Sequence, residues 1–218
     1  MDEYISALLP RRDDYMKAMQ SEHVDHYANK SDIWTHSPGD RAAAKWLADR
    51  KLEGPQTILD IGTGRGQDLE LFLKAGHTCT GIDLVEIDTW SQMRSTWGEQ
   101  VTLQNTPFLA FEPARKFTTI MSIGSLHHQH PADYGPFLNH VKKLLQPGGH
   151  FLVSVFHVKS ESGPDIFLGG NEGRFWRFFT TQGLRHLLEE AGFRWIDSAT
   201  NHEAYFPYVW ALAQTPKD

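Results

Sequence analysis

Cysteine is almost absent from this sequence. Cys79 is the one cysteine among 218 residues, so no disulfide can form within the chain. A zinc site built from several thiolates is excluded for the same reason. A chain with a single thiol suits a reducing compartment, and we therefore predict a cytoplasmic location.

Long apolar runs and clusters of basic residues are lacking as well. No stretch of about 18 apolar residues occurs, and the N-terminal residues show no charged-then-apolar signal pattern, so we expect no membrane partner. The formal net charge is −6, and the lysines and arginines are scattered along the chain. Because nucleic-acid binding depends on clustered cations that neutralise phosphates, we expect no nucleic-acid partner either.

The sequence does contain enough apolar material for a core. Hydrophobic residues make up 40% of the chain and charged residues 22%, which is the balance of a globular protein. Before the main apolar pattern, Tyr15, Met19, His23 and Tyr27 recur at four-residue steps on one side of a weakly amphipathic helix. We therefore predict an N-terminal helical lid over residues 1–37 and one main domain over residues 38–218.

Residues 57–83 carry the most informative pattern. A short apolar run that ends at Ile61 meets a glycine-rich turn at 62–66, and a helical pattern then runs to Gly76. A second strand-like run ends in Asp83. This order of strand, turn, helix, strand and acid predicts a βαβ unit that holds a nucleotide-like ligand at the ends of its strands.

The spacing of the glycines discriminates between ligands. A dinucleotide fingerprint G-x-G-x-x-G that starts at Gly62 requires a glycine at position 67. The chain has Gln67 there and places its third glycine at Gly66. A nicotinamide dinucleotide therefore fits the turn poorly, although Asp83 still offers two acceptor oxygens to a pair of ribose hydroxyls.

Strands and helices alternate along the rest of the chain. We predict strands at 101–104, 117–123 and 150–156, a helix at 86–97 and a stronger helix at 134–145. An irregular stretch at 157–177 is followed by a helix that Thr180 or Thr181 caps, and by strands at 193–200 and 205–214. These last strands are joined too closely for a parallel crossover. The predicted fold is α/β: a doubly wound, mostly parallel seven-stranded sheet with an antiparallel C-terminal hairpin strand and helices on both faces.

A residue just before the turn connects this pattern to a family. Asp60 completes the sequence D-x-G-x-G-x-G, which resembles motif I of the class I (Rossmann-like) S-adenosylmethionine-dependent methyltransferases. The Leu-x-Pro-Gly-Gly turn at 145–149 and the Glu-Ala-Gly-Phe turn at 190–193 are also common in that family. The resemblance runs from about Ala42 to the end of the sequence. It implies methyl transfer from S-adenosylmethionine to a small-molecule acceptor, on an oxygen, nitrogen or carboxyl group, with S-adenosylhomocysteine as the product.

The resemblance also implies a set of cofactor contacts. The glycine turn is expected to hold the methionine end of the cofactor, Asp83 the ribose, and Leu84 the adenine ring. After strand 3, where the family often has an acid, this chain has Asn105 and Thr106, and the asparagine amide oxygen can accept from the adenine amino group. The predicted cofactor-binding residues are Asp60, Gly62, Thr63, Gly64, Gly66, Asp83, Leu84, Asn105, Thr106 and Gly124.

Histidines follow strands 4 and 5, at the edge of the sheet where the transferred methyl group should lie. A histidine suits a general base near neutral pH, and our candidate is His128, with His127 nearer the cofactor and Tyr27 of the lid as a third catalytic candidate. Two alternatives stay open. The histidines can pack against the cofactor, or His127 and His130 can bind a divalent metal together with His157. We expect no metal.

Aromatic side chains are dense in the lid and in the last quarter of the chain. A sulfonium cation is attracted to aromatic faces, so an aromatic wall around the methyl group has a physical reason. The predicted acceptor pocket comprises Trp34, His130, His157, Phe167, Arg174 and Trp176.

Other functions remain possible at this point. The cofactor could undergo cyclisation or another non-methyl reaction, the chain could be a non-catalytic cofactor-binding subunit, or it could be a nicotinamide-dependent oxidoreductase. We expect a monomer or a homodimer.

Overall fold

The computed structural model describes residues 12–35, 41–50, 52–158, 166–169, 175–202 and 206–217, with backbone alone at 166–169 and 175. The α-helices in these ranges are α1 (Arg12–Ala28), α2 (Ala42–Ala48), α3 (Gln67–Lys74), α4 (Trp90–Trp97), α5 (Tyr134–Leu144) and α6 (Thr181–Glu190). The strands are β1 (Thr57–Ile61), β2 (Thr78–Asp83), β3 (Val101–Asn105), β4 (Phe117–Ile123), β5 (Leu145–Phe156), β6 (Ile166–Gly169), β7 (Phe175–Phe178), β8 (Arg194–Asn201) and β9 (Tyr208–Gln214).

Seven strands form the main sheet in the order β3-β2-β1-β4-β5-β9-β8. The pairs among β1 to β5 are parallel, while β9 pairs antiparallel with both β5 and β8. The predicted fold class is confirmed. The chain leaves β1 towards β2 on one side and leaves β4 towards β5 on the other, so a crevice opens where β1 and β4 end.

Helices cover both faces of this sheet, and each face has its own apolar cluster. One cluster contains Phe137 of α5 and Leu184 of α6, and the other contains Leu47 of α2 and Leu69 of α3. The central strand β5 contributes alternate residues to the two clusters, because successive side chains of a strand point to opposite faces. Packing on both faces makes the ends of β1, β2 and β4 a rigid frame for a site.

The predicted helix at 86–97 begins later than expected, at Trp90. The reason lies in the residues that follow β2. Asp83 Oδ1 accepts a hydrogen bond from the main-chain N–H of Val85 at 3.2 Å, which holds the chain in a turn there. The strand-end acid therefore shapes the loop as well as facing the site.

Strand β5 begins earlier than the predicted 150–156. Leu145 already pairs with Phe117, and the register then shifts before Thr119 pairs with His150. The Pro-Gly-Gly segment lies in this irregular part of the strand, with Gly148 at a φ of +71°. A sequence that ends a helix can thus also form a bulge in the next strand.

The stretch 157–177 was predicted to be irregular, and this was wrong for its described part. Strands β6 and β7 pair antiparallel with each other as a separate two-stranded ribbon. Strands of only four residues are too short to show an alternating pattern in the sequence.

The last two strands of the main sheet also begin later than expected. Phe193, the first residue of the predicted strand 193–200, donates its main-chain N–H to Leu188 O at 3.0 Å and so closes α6. The final strand starts at Tyr208, and Tyr205 falls outside the described residues.

Helix α1 lies over the crevice. The stripe of Tyr15, Met19, His23 and Tyr27, predicted on one side of the helix, is turned inwards. Tyr15 and Met19 are buried, and the Tyr15 hydroxyl donates to His128 O at 2.7 Å. Further along the helix, Gln20 Nε2 donates to Leu84 O at 3.1 Å. The helix is thus attached near the ends of both β4 and β2. The predicted domain boundary at 37/38 falls outside the described residues.

None of the described helices combines the length and the apolar character that crossing a bilayer requires.

Candidate active site

The glycine turn after β1 is fastened to the end of β2. The main-chain N–H groups of Gly62 and Thr63 both donate to Ile82 O, at 2.9 and 3.0 Å. Gly62, Gly64 and Gly66 have φ values of +75°, +53° and +78°, a region that L side chains rarely adopt. A Cβ on Gly62 would lie 2.1 Å from Ser125 Oγ, so this turn has no room for a larger residue there.

The Asp83 carboxylate links the turn to the second strand. Its Oδ2 accepts from the Gly64 main-chain N–H at 2.9 Å. Burial raises the pKa of Asp83 to about 6, and the hydrogen bonds from backbone N–H groups oppose that rise. The carboxyl group is therefore mostly ionised at neutral pH and can accept from hydroxyl groups.

Residues at the end of β3 complete this corner. Thr106 donates its main-chain N–H to Asp83 O at 2.9 Å, and Asn105 Nδ2 donates to the same oxygen at 3.1 Å. The Asn105 amide nitrogen is thus engaged, and its carbonyl oxygen is the acceptor that it can still offer.

Behind the turn lies a second acid, Asp60, which is 2% exposed. Burial raises its pKa to about 8, the charge on Asp68 adds to the rise, and a hydrogen bond with Thr63 opposes it. Asp60 is therefore mostly protonated at neutral pH. Arg41 contacts Asp68, with its Nη2 at 3.0 Å from Oδ1.

One cavity of about 840 Å³ joins these groups to the lid. The predicted site residues along its wall are Tyr27, Trp34, Gly62, Thr63, Gly64, Asp83, Leu84, Thr106, Gly124, His128 and Trp176. Asp60, Gly66 and Asn105 lie behind or beside this wall rather than on it. Of the predicted acceptor pocket, Phe167 is on β6 with its side chain outside the described part, and Arg174 falls outside it altogether.

The lid reaches the glycine turn through Tyr27. A Cβ on Gly64 would lie 3.0 Å from the Tyr27 hydroxyl, and the Tyr27 ring meets the Trp34 ring edge-on at 6.0 Å. Burial raises the pKa of Tyr27 well above its ordinary value, and the charge of Asp83 adds to the rise. The phenol therefore stays protonated, so Tyr27 can donate a hydrogen bond but does not serve as a base.

A buried ion pair also joins the lid to the turn. Arg65, between Gly64 and Gly66, donates from Nε to Asp32 Oδ2 at 2.7 Å and from Nη2 to Oδ1 at 3.1 Å. Although burial raises the pKa of Asp32, hydrogen bonds from Arg65 and from the Thr35 hydroxyl lower it below its ordinary value. This bidentate pair ties the segment that carries Trp34 to the glycine turn.

Three of the four histidines predicted for the site are not on the cavity wall. His127 is fully buried, its ring stacks near the Phe156 ring at 3.8 Å between centroids, and its Nδ1 accepts from the Phe156 N–H at 3.3 Å. His130 uses Nδ1 to accept from the Ala132 N–H at 3.2 Å, which caps a short 3₁₀ turn. These contacts favour the packing alternative for both residues.

The third, His157, is 3% exposed and lies near His202 and Thr181. Among the residues that the structure describes, no three histidine, cysteine or carboxylate side chains come close enough together to bind a metal ion. The metal alternative for His127, His130 and His157 has no support in this arrangement.

His128 is the predicted base that does reach the cavity. Its ring lies 6.1 Å from the His23 ring and 6.5 Å from the Trp176 ring. Sequence reasoning missed His23 and Arg41 as members of the wall. His23 was visible as part of the lid stripe, whereas Arg41 stands in a polar stretch that carries no motif.

The fold and the site together define a class. A doubly wound sheet with a D-x-G-x-G-x-G turn after β1, an acid at the end of β2 and a lid over the crevice is the arrangement of a class I methyltransferase. A family model described as a methyltransferase domain matches residues 35–198, and the chain belongs to that family.

Comparison with individual proteins agrees with this assignment. The crystal structure of Burkholderia thailandensis 1,6-didemethyltoxoflavin-N1-methyltransferase, with bound 1,6-didemethyltoxoflavin and S-adenosylhomocysteine, is 33% identical in sequence with a TM-score of 0.89, covering 95% of this chain and 92% of that chain. A ubiquinone biosynthesis O-methyltransferase of Dinoroseobacter shibae is 28% identical over 170 residues, which is 71% of this chain and 68% of the relative. The glycopeptide N-methyltransferase MtfA complexed with S-adenosylmethionine has a TM-score of 0.63 at 18% identity, covers 81% of this chain and 94% of its own, and shows the fold alone.

The protein is therefore an S-adenosylmethionine-dependent methyltransferase that acts on small molecules. The predictions of the family, the reaction and the cofactor are confirmed.

Proposed function

We propose that the protein transfers the methyl group of S-adenosylmethionine to a nitrogen atom of a flat aromatic small molecule. The observation that carries this proposal is the cavity, which reaches from the glycine turn to a wall of rings formed by His23, Trp34, His128 and Trp176. Ring faces and edges favour a flat aromatic acceptor. Nitrogen is favoured because the relative at 33% identity is an N1-methyltransferase.

The cofactor roles follow the geometry of the turn. The turn from Gly62 to Gly66, with Thr63 and with Asp60 behind it, holds the methionine end through main-chain N–H groups. Asp83 accepts from the ribose hydroxyls, and Leu84 packs on the adenine. Asn105 and Thr106 lie at the adenine edge, and Gly124 lets the end of β4 approach the cofactor closely.

Arg41 adds a contact that the motif did not indicate. Its guanidinium lies on the cavity wall beside Asp68, at the N-terminal end of α3. A guanidinium is suited to a carboxylate, and we assign Arg41 to the carboxylate of the cofactor's methionine end.

The reaction is an in-line displacement. The acceptor's lone pair attacks the sulfonium methyl carbon, and the carbon–sulfur bond breaks with its electron pair on sulfur. S-adenosylhomocysteine leaves as a neutral thioether, so the protein chiefly aligns the reactants and excludes water. A proton on the acceptor nitrogen goes to a base on the wall, for which His128 is the candidate that the sequence indicated.

Methylation of a ring hydroxyl is the second candidate, because another relative is an O-methyltransferase. Incubation of the protein with methyl-labelled S-adenosylmethionine and a panel of aromatic nitrogen and phenolic compounds, followed by mass spectrometry and NMR of the products, separates the two. We expect label on nitrogen. Label on phenolic oxygen alone contradicts the nitrogen proposal, and label on neither contradicts the flat aromatic acceptor.

The Arg41 assignment gives a further expected result. In Arg41→Met, the affinity for S-adenosylmethionine falls about 10- to 100-fold, since a charge-assisted hydrogen bond contributes about 1.5–3 kcal/mol. Calorimetry should show a much smaller loss for 5′-methylthioadenosine, which has no carboxylate. An equal loss for both ligands contradicts the assignment.

The proposal also includes a cytoplasmic monomer or homodimer without a nucleic-acid or membrane partner. The net charge of −6, the scattered cations and the single cysteine support it. Light scattering after size-exclusion chromatography measures the oligomeric state.

A further inference from the structure

The inner side of α1 carries a stripe that runs from one end of the cavity to the other. Tyr15 contacts the main chain of His128, whereas Tyr27 reaches Gly64 in the turn. His23 stands between them, and because a helix rises about 1.5 Å per residue, it lies roughly 6 Å along the axis from Tyr27. His23 therefore lies about two thirds of the way along the helix from Tyr15, beside the loop after β4, to Tyr27, beside the cofactor loop.

The hydrogen bond of His23 determines its tautomer. Nδ1 lies 2.7 Å from Met19 O, one turn earlier in the helix. A carbonyl oxygen only accepts, so the hydrogen of neutral His23 is on Nδ1 and the lone pair is on Nε2. The same carbonyl orients the ring and stabilises the positive charge that arises when Nε2 takes a proton.

His23 is part of the wall of rings that we assign to the acceptor. Its ring lies 5.8 Å from the Trp34 ring and 6.1 Å from the His128 ring, and all three residues are on the cavity wall. The cavity wall also carries other titratable and charged groups. They are Arg12, Asp13, Glu22, His26 and Tyr27 on α1, Arg41 before α2, Arg65 in the glycine turn, Asp68 on α3, Asp83 at the end of β2, and His128 and Asp133 after β4.

We infer that His23 is the general base of the reaction. This rests on the proposed function, since it needs an acceptor nitrogen that carries a proton. As the nitrogen lone pair takes the methyl group and the carbon–sulfur bond breaks towards sulfur, the N–H proton passes to His23 Nε2. The imidazolium then returns the proton to solvent.

The other histidines of the loop after β4 are less suited to this role. In His127 and His130, Nδ1 accepts from a main-chain N–H, so the lone pair of the neutral ring is already used. Neither lies on the cavity wall, and Tyr27 keeps its proton. His128 is the residue against which His23 has to be tested.

The test is His23→Asn, assayed with an acceptor that wild type methylates on an N–H nitrogen. An asparagine amide can still donate to the Met19 carbonyl but cannot take a proton at neutral pH. We expect kcat to fall about 100-fold while the affinity for S-adenosylmethionine and the acceptor KM change little. The fall of kcat/KM towards acidic pH, which reflects protonation of the base in wild type, should disappear.

Chemical rescue separates a base from a packing residue. Added imidazole should restore part of the activity of His23→Ala, in proportion to its unprotonated fraction, because it supplies the missing base. His186→Asn, an exposed histidine on α6, serves as the matched control and should behave as wild type. Thermal melting of each variant confirms folding, and His23→Gln replaces any variant that does not fold.

Two results overturn the inference. The first is a His23→Asn enzyme that keeps kcat within about threefold of wild type and whose kcat/KM still falls towards acidic pH. The second is that this fall disappears in His128→Asn and not in His23→Asn. Failure of the proposed function is a different observation. In that case wild type itself transfers no methyl group to any nitrogen acceptor, although it binds the cofactor, and the inference falls with it.

Discussion

Replacing Gly64 with valine abolishes binding of S-adenosylmethionine. Gly64 has a φ of +53°, and a Cβ there would already lie 3.0 Å from the Tyr27 hydroxyl. A β-branched side chain would take up the space where the turn meets the cavity, and it would strain the main chain whose N–H binds Asp83. Calorimetry should show an affinity at least 100-fold weaker than that of wild type.

Gly76→Val is the matched control for this change. Gly76 also has a positive φ, of +86°, but a Cβ there meets no heavy atom within 4 Å. Both variants should therefore lose roughly 1–2 kcal/mol of stability from main-chain strain, with a similar fall in melting temperature. Only Gly64→Val should lose the ability to bind S-adenosylmethionine. Equal binding by the two variants would show that the turn does not contact the ligand.

The half of the site that surrounds the glycine turn was predictable from the sequence, and the reason is local geometry. A turn that needs positive φ at several positions accepts glycine almost alone, so its sequence pattern is narrow. Asp83 was predictable because it follows a strand in the same βαβ unit, within a short stretch of chain. The sheet order follows from the alternation of elements and the handedness of their connections.

The acceptor half depends on contacts that no local pattern reports. Trp34 meets Tyr27 edge-on, and Asp32, two residues before Trp34, pairs with Arg65, which is 33 residues further along the chain. Three of the predicted histidines lie off the cavity wall and have hydrogen-bond partners there. The partners are Phe156 of β5 for His127, Ala132 of the same turn for His130 and Thr181 of α6 for His157. The local sequence around a histidine that follows a strand is the same whether its side chain packs or catalyses.

His23, in contrast, lies on the cavity wall although the sequence did not predict it as a site residue. The four-residue stripe of α1 was visible in the sequence, but half of its members are polar, which predicted a lid rather than a site. In the structure, Met19, His23 and Tyr27 line the cavity, and Tyr15 binds the main chain of His128 after β4. His23 and Tyr27 are half-buried on this helix and lie where a ligand in the cavity can meet them.

Asp32→Asn uncouples the lid from the cofactor loop. Asp32 is 1% exposed and binds Arg65 through both carboxylate oxygens, so its removal leaves a largely buried guanidinium without its main counter-charge. Loss of one partner of a buried pair costs about 3–5 kcal/mol. We expect a large fall in unfolding free energy and weaker cofactor binding, because Arg65 stands inside the glycine turn.

The pH dependence of stability has a defined sign. Hydrogen bonds from Arg65 and Thr35 lower the folded-state pKa of Asp32 despite its burial, so its contribution is present above the unfolded pKa and is lost as pH falls through the folded pKa. Urea unfolding of wild type across the acid range should show this loss. In Asp32→Asn, that part of the pH dependence should be absent.

Asp88→Asn is the control within the same cluster. Asp88 also binds Arg65, at 2.9 Å, but its side chain is 75% exposed, so its loss should cost less than about 1 kcal/mol. Hydrogen exchange then tests the coupling itself. In Asp32→Asn, protection of α1 should fall, and S-adenosylmethionine should no longer raise it, whereas Asp88→Asn should respond to the cofactor as wild type does. If α1 stays protected when the buried pair is broken, the lid is held by Tyr15 and Gln20 instead, and Asp32 acts only on stability.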